Sequence, residues 1–555
     1  MRRRRARLLC SLLLTVVAGA GTAASSASAS SASSASSAFS ASPSHAAGVA
    51  QAATAPAPLD RVVPAPASVR PAAGSYTIRS NTRIRVSASD GSARPARRVG
   101  DYLAKVLRPS TGFSLPVTAR SGGDGIRLRL LPQAAGARKL GAEGYRLEVT
   151  GRAITLSARG SAGLFHGVQT LRQLLPASVE RTTRQPGPWR VSRGTITDVP
   201  RYAWRGAMLD VSRHFFSVDQ VKRYIDQLAL YKLNKLHLHL SDDQGWRIAI
   251  DSWPRLATYG GSTQVGGGPG GYYTKADYRE IVRYAASREL TVVPEIDMPG
   301  HTNAALASYA RLNCDGVAQP LYTGTDVGFS SLCAPKEVTY DFVDDVIREL
   351  AALTPGRYLH IGGDEAHSTS HEDYAAFMDR VQPVVAKYGK TVVGWHQLTG
   401  ARPAKGAIAQ YWGLNGNEKE VAEAAKAGTR LVLSPANRAY LDMKYDADTP
   451  LGLSWAGYVE AKQSYDWDPA TYIKDAPASS VLGVEAPLWS ETLLTSPQLE
   501  YMAFPRLPGI AELGWSPART HDWSDYRVRL AAQGPRWDAL RIAYYPSPQI
   551  PWPAH

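Results

Sequence analysis

Residues 276–297 read ADYREIVRYAASRELTVVPEID. Residues 276–288 set apolar side chains at helical spacing, with Tyr278, Ile281, Val282 and Ala285 on one face. Residues 291–297 then form a short, nearly all-apolar run that ends in acids. A strand that is apolar on both faces and follows a helix belongs in a parallel sheet covered by helices. The same texture recurs along the C-terminal two-thirds of the chain. Its apolar runs are GAMLDVS (206–212), KLHLHLS (235–241), TVVPEID (291–297), YLHIGGD (358–364), TVVGWHQ (391–397), AIAQYWG (407–413), TRLVLSP (429–435) and VLGVEAP (481–487). Helical stretches at 218–232, 339–353, 372–388 and 418–427 lie among them. Eight such strands predict a (β/α)8 TIM barrel over residues 199–555, with its working end at the strands' C-termini.

Outward from the barrel, residues 58–198 read as a small α+β domain. Runs at 76–87, 125–131, 144–158 and 190–198 alternate apolar and polar residues as half-buried strands do, and 93–107 and 161–175 have helical spacing. No catalytic cluster falls in this domain. Further out, Arg2 to Arg5 and Arg7 precede the apolar stretch Leu8–Val17, which is too short to span a bilayer. Residues 1–24 are therefore expected to be a secretory signal peptide and the protein to be secreted, with a twin-arginine route open. Residues 25–57 are nearly all Ser and Ala and are expected to be a disordered linker. No other stretch is long and apolar enough for a membrane span.

The net charge is +15, and residues 1–57 supply five basic and no acidic residues of it. The remaining arginines are scattered rather than clustered, which argues against a nucleic-acid partner. Of the three cysteines, Cys10 falls in the leader, while Cys314 and Cys333 lie 19 apart in a chain bound for an oxidising compartment. They are expected to form a disulfide. They belong to the insert 298–335, which is expected to sit over the barrel mouth.

The predicted strand ends carry acids and aromatics. They offer Asp210 and Arg213, then Asp242 and Asp243, then Glu295, Asp297 and His301. Asp364 and Glu365 follow, then Trp395, Trp412, Tyr440 with Asp442, and Trp489 with Glu491. Carboxyls supply acid/base chemistry and bind hydroxyls, and indole faces stack on the C–H faces of sugar rings, so the combination suggests carbohydrate. A rival reading starts from His237 and His239. Two apart on a strand, they share a face, as zinc ligands of a metal-dependent hydrolase would.

Several stretches carry a resemblance. HIGGDEAH (360–367) is similar to the His-x-Gly-Gly-Asp-Glu signature of the family-20 glycoside hydrolases, the β-N-acetylhexosaminidases. GAMLDVSRHFF (206–216), KLNKLHLHLSDDQGWR (232–247), VVPEIDMPGH (292–301), GWHQ (394–397), YLDMKY (440–445) and PLWSE (487–491) resemble further blocks of that family, in order, over about residues 60–540. One departure is His396-Gln397, where many relatives have an acid after the tryptophan.

The resemblance implies exo-acting, retaining hydrolysis of a terminal, non-reducing N-acetylglucosamine or N-acetylgalactosamine, with an oligosaccharide such as a chitin fragment as substrate. The substrate's own acetamide is the nucleophile and gives an oxazolinium intermediate, an exception to the usual two-carboxylate scheme. Glu365 matches the acid/base. Asp364 matches the acceptor of the acetamide N–H, and Tyr440 the donor to its oxygen. Asp242 and His301 match a relay toward Glu365. Trp395, Trp412 and Trp489 match an aromatic box, and Arg213, Asp442 and Glu491 the groups that hold sugar hydroxyls. Neither a cofactor nor a metal is implied. A sugar-binding barrel without activity is the other alternative, against which the intact Asp364, Glu365 and Tyr440 speak.

Overall fold

The computed structural model describes residues 55–89, 91–120, 122–131 and 138–553. The expected signal peptide, and the Ser/Ala-rich segment as far as residue 54, lie outside the described residues.

The N-terminal domain is a seven-stranded mixed sheet. Its strands run, in spatial order, Ser68–Ile78, Trp189–Asp198, Tyr145–Val149, Ala153–Ala158, Gly125–Leu130, Ile84–Ala88 and Val117–Ala119. Helices Arg94–Thr111 and Ser161–Leu174 pack against it. The run 76–87 is not one strand. A turn closed by the Thr82 N–H on the Arg79 carbonyl at 2.9 Å divides it.

Eight parallel strands close the barrel: Trp204–Asp210, Lys235–His239, Thr291–Glu295, Tyr358–His360, Thr391–Trp395, Ile408–Tyr411, Arg430–Leu433 and Val481–Ala486. The eighth pairs with the first from Gly483 opposite Trp204 to Ala486 opposite Ala207. Side chains two apart point inward, so the interior fills in layers. Trp204, Val293, Val393, Ile408 and Val432 form an apolar plug. One step along the same strands, Glu295, Trp395 and Gln410 replace Val293, Val393 and Ile408. The interior thus turns polar and aromatic toward the C-terminal ends.

Helices Val218–Leu230, Lys275–Ser287, Glu337–Leu353, His371–Lys387 and Lys419–Lys426 pack outside. Capping boxes start the first two, Ser217 with Gln220 and Thr274 with Asp277, each worth about 1 kcal/mol. Two connections lack such a helix. After the fifth strand there is only the short 3-10 helix His396–Gly400, and after the seventh a long excursion holds only Ala436–Ala439 and Ala461–Tyr465. That second excursion is free to reach over the mouth. The insert 298–335 carries the expected Cys314–Cys333 disulfide, and its Thr325 and Val327 border the cavity at the mouth.

A buried polar seam joins the two domains. Asp198 accepts from Tyr145 Oη at 2.7 Å, from Lys232 Nζ at 3.1 Å and from Trp515 Nε1 at 3.0 Å. Beside it, Glu143 bonds to Arg205 and accepts from Asn234 Nδ2 at 3.0 Å. Lys232 and Arg205 are fully buried and belong to the barrel, whereas both acids belong to the N-terminal domain. Among the described residues, no helix is long and apolar enough to cross a membrane.

Candidate active site

The acids of HIGGDEAH leave β geometry as soon as the fourth strand ends. Gly362 and Gly363 take φ of 65° and 99°, and Glu365 itself takes 42°. Successive side chains on a strand point to opposite faces. Three left-handed residues in four abolish that alternation, so Asp364 and Glu365 both reach one cavity. The glycines are required there. A Cβ on Gly362 would lie 1.6 Å from Asp297 Oδ1, and one on Gly363 2.9 Å from Met378 Cε. Glu365 holds a conformation that a side chain with a Cβ rarely adopts, and so does His301 at φ 56°. Such strain costs on the order of 1–3 kcal/mol per residue and collects at functional sites.

The cavity measures about 370 Å³ and is lined by Arg213, His301, Asp364, Glu365, Trp412, Tyr440, Asp442, Trp489 and Glu491, joined by Thr325, Val327, Leu453 and Trp455. The expected side chains thus converge from the ends of different barrel strands. Trp395 and Asp242 are the exceptions. Trp395 has no accessible surface and lies behind the lining, 5.8 Å from the Trp489 ring, with its indole N–H on Glu295 Oε1 at 2.9 Å. Asp242 also lies beneath the lining. Its Oδ1 is 3.2 Å from His301 Nδ1, and its Oδ2 takes Arg213 Nη2 at 2.9 Å.

Sequence reasoning missed Trp455, which is 51% exposed. It stands edge-on to both Trp412 and Tyr440, each with centroids 5.9 Å away. It comes from the helix-poor excursion after the seventh strand, where no periodicity marks it. Gln397, at the departure from the family pattern, accepts the Trp412 indole N–H at 3.0 Å.

His301 Nε2 lies 3.5 Å from Glu365 Oε2 and 3.6 Å from Asp364 Oδ2. Burial opposes charge on His301, but Asp242 and Asp364 outweigh it and hold the imidazole well above its usual range. Burial likewise works against Asp242, yet Arg213, His301 and His239 keep its carboxyl well below the ordinary carboxylate range. Asp364 is pushed up to about 6 by burial, with Glu365 adding to the rise and His301 opposing it. Asp297 lies behind it and accepts the Gly363 N–H at 3.1 Å. Burial and the charge of Asp364 raise its own carboxyl well above the usual range. Burial, Asp364 and Asp442 raise the Tyr440 phenol, which therefore remains an O–H donor.

Several polar atoms here are buried without a partner among the described residues. They are Asp364 Oδ1, both carboxyl oxygens of Asp442, and Nε of Arg213. Buried polar groups are nearly always satisfied, so a cluster of orphans that faces one cavity marks the contacts of a polar ligand. Trp489 forms a wall between them, with the Arg213 guanidinium 4.8 Å from its ring centre. A cavity that combines indole walls, hydroxyl-binding acids and two carboxyls on one imidazole can hold a sugar ring and move a proton at its edge.

Both nitrogens of His237 and of His239 are engaged by carboxylates, and neither residue has accessible surface. A catalytic metal needs an open coordination position, which this pair does not offer.

Known proteins resemble this chain in sequence and fold. The catalytic domain of glycosyl hydrolase family 20 matches residues 202–376 and 367–518, and domain 2 of that family matches residues 60–199. The β-N-acetylhexosaminidase of Cellulomonas fimi is 42% identical over 82% of this chain and 90% of its own length. The structure of the family-20 β-N-acetylhexosaminidase from Streptomyces coelicolor A3(2) superposes with a TM-score of 0.87, at 70% identity over 90% of this chain and 100% of that one. A mutant Streptomyces plicatus β-hexosaminidase in complex with product (GlcNAc) gives 0.88, at 72% identity over 91% and 100%.

Proposed function

The chain belongs to glycosyl hydrolase family 20, and from that premise we propose that its cavity removes single terminal β-linked N-acetylhexosamine residues by substrate-assisted, retaining hydrolysis. One observation carries the reading. Asp364 and Glu365, neighbours in sequence, enter the same small cavity and meet at the same His301 nitrogen. A nucleophile and an acid would stand on opposite sides of the sugar. Two carboxyls that converge on one imidazole instead divide a proton-transfer role from an acetamide-holding role.

The steps follow from the positions. Asp364 Oδ1 accepts the acetamide N–H, and the Tyr440 hydroxyl donates to the acetamide oxygen, which orients that oxygen toward the anomeric carbon. As the C–O bond to the leaving sugar breaks, Glu365 delivers its proton to the departing oxygen. The acetamide oxygen forms the new bond, and the positive charge spreads over the oxazolinium beside Asp364. Glu365, now a carboxylate, takes a proton from water, which opens the ring with net retention. Arg213, Asp442 and Glu491 hold ring hydroxyls, and Trp412 and Trp489 flank the sugar. The cavity of about 370 Å³ lies near the lower end of the roughly 300–1,000 Å³ typical of small-molecule sites, which favours one residue and exo action. Exposed Trp455 at the rim offers a face to the leaving sugar.

Export from the cell belongs to the same proposal. The basic and apolar start of the sequence supports it, and so does the Cys314–Cys333 disulfide, since such bonds persist in oxidising compartments. Chitin fragments are the natural substrate proposed. The test is a pair of aryl β-glycosides that differ only in the 2-acetamido group. Turnover of the N-acetylglucosaminide alone is expected, and comparable turnover of the plain glucoside would refute substrate assistance.

A further inference from the structure

Beneath the cavity, Asp242 and His301 continue into the barrel interior as a line of charged groups, of which Glu485, His237, Glu295 and His239 serve none of these steps. Glu485 Oε1 lies 2.8 Å from His237 Nδ1, and His237 Nε2 lies 2.9 Å from Glu295 Oε2. The same Glu295 oxygen is 2.5 Å from His239 Nδ1, and His239 Nε2 is 2.7 Å from Asp242 Oδ2. Asp242 Oδ1 continues to His301 Nδ1 at 3.2 Å, and His301 Nε2 ends the line between the two catalytic carboxyls. All six residues are buried. They alternate carboxylate and imidazole without interruption.

Geometry sets the protonation of this line. A neutral imidazole has one donor and one acceptor nitrogen. Both nitrogens of His237 face carboxyl oxygens, and so do both of His239, so with those carboxyls ionised each ring donates twice and is an imidazolium. The surroundings agree. Burial opposes charge on His237, but Glu295 and Glu485 outweigh it and bring it to about 9. His239 lies well above its usual range, because Glu295 and Asp242 overcome the same burial. Other groups complete the environment. His360 Nδ1 lies 2.9 Å from Glu295 Oε1, which also takes the Trp395 indole N–H. Trp204 and Gln410 donate to Glu485. Asp297 lies near His239 and Asp242. Arg213 and the Asp243 N–H hold Asp242. The edge of Trp489 packs on His239, with centroids 4.9 Å apart.

Buried ion pairs seldom stabilise a fold better than well-packed apolar side chains would. A row of them that ends at the acid/base therefore calls for another role. We propose that His239 and Glu295 are positioning residues for proton transfer, forming with His237 and Glu485 a carboxylate–imidazolium ladder that keeps Asp242 ionised and turned toward His301. This rests on the reading of Glu365 as the acid/base. Without the His239 donor, Asp242 Oδ2 keeps only Arg213, its carboxyl rotates more freely, and His301 loses its fixed partner. Proton delivery by Glu365 suffers most, because the acetamide N–H is taken by Asp364 Oδ1 and not by the Oδ2 that faces His301.

The test uses two variants of the full chain. His239→Gln places an amide N–H near the Nε2 position and still reaches Asp242. His239→Asn places it near Nδ1, which serves Glu295 and leaves Asp242 unserved. The readout is the ratio of kcat/KM for an N-acetylhexosaminide with a poor leaving group to that for one with a good leaving group. The ratio should fall about tenfold in the Asn variant and recover most of that in the Gln variant, in line with one hydrogen bond to a charged group. A uniform loss for both substrates in a folded variant overturns the proposal. Histidine-ring NMR of the unmodified protein provides a second test that needs no variant. Two buried rings should remain imidazolium from roughly pH 5 to 8. Ordinary titration of both near neutrality overturns the proposal whatever the variants do. The NMR result does not depend on turnover, so failure to hydrolyse hexosaminides would refute the functional reading without deciding this one.

Discussion

Replacing Asp364 by Asn tests the division of labour between the two acids. Its Oδ1 is buried and unpartnered among the described residues, so it is placed to accept the acetamide N–H as an ionised acceptor. Such a hydrogen bond contributes about 1.5–3 kcal/mol. A full positive charge about 4 Å away, at an effective dielectric near 20, would add about 4 kcal/mol, and a half-developed charge about 2 kcal/mol. Together these give about 4 kcal/mol in the transition state, or about a thousandfold in kcat/KM at 1.36 kcal/mol per decade. The assay is kcat/KM for aryl N-acetyl-β-hexosaminides with leaving groups of rising pKa. Asp364→Asn should lower every substrate by a similar factor, because the acetamide step is common to all. Glu365→Gln should spare good leaving groups and penalise poor ones progressively, because only they need the proton. Parallel profiles for the two variants, or a loss in Asp364→Asn confined to poor leaving groups, would refute the assignment.

Since Asp364 titrates at about 6 and acts ionised, kcat/KM should fall as pH drops through about 6, well above the range of an exposed aspartate, and a pH–rate profile checks this. Gly362→Ala puts a Cβ 1.6 Å from Asp297 Oδ1 at a φ of 65°, so a loss of at least about 3 kcal/mol in denaturant and near-complete loss of activity are expected. Removing the disulfide by Cys314→Ser with Cys333→Ser opens a loop of sequence separation 19, and the unfolding midpoint should drop by an amount equivalent to about 3 kcal/mol. Because Thr325 and Val327 in that loop border the cavity, KM should rise more than kcat falls in the same variant.

The barrel was legible because its strands are buried on both faces. A run such as TVVPEID admits no surface reading, and its spacing from the helix before it fixes a parallel connection. The strand Ser68–Ile78 was harder. It contains Pro71 and a bulge between Pro71 and Ser75, so its first half has no alternation to detect. Within the site, residues beside strand ends followed from topology, and Asp364, Tyr440 and Trp489 fall where the chain order places them. Trp395 occupies the last residue of its strand and bonds to Glu295 in the barrel interior, so its ring lies behind the cavity wall. Trp455 escaped detection because it lies 22 residues after the seventh strand in a segment without periodicity. The roles of Glu295 and Glu485 depend on pairing across the barrel, which local patterns do not encode.

The seam between the domains bears on how this chain can be cut or recombined. Arg205 and Lys232 sit in the barrel with no exposure, and the acids that neutralise them, Glu143 and Asp198, are supplied by the N-terminal domain. A fragment that starts at residue 200 would lose both counter-charges together with the surface that shields these cations and the Trp515 indole from water. The small domain is therefore a permanent counter-ion of the catalytic one, and a graft onto another barrel would have to carry a matching arginine and lysine with it.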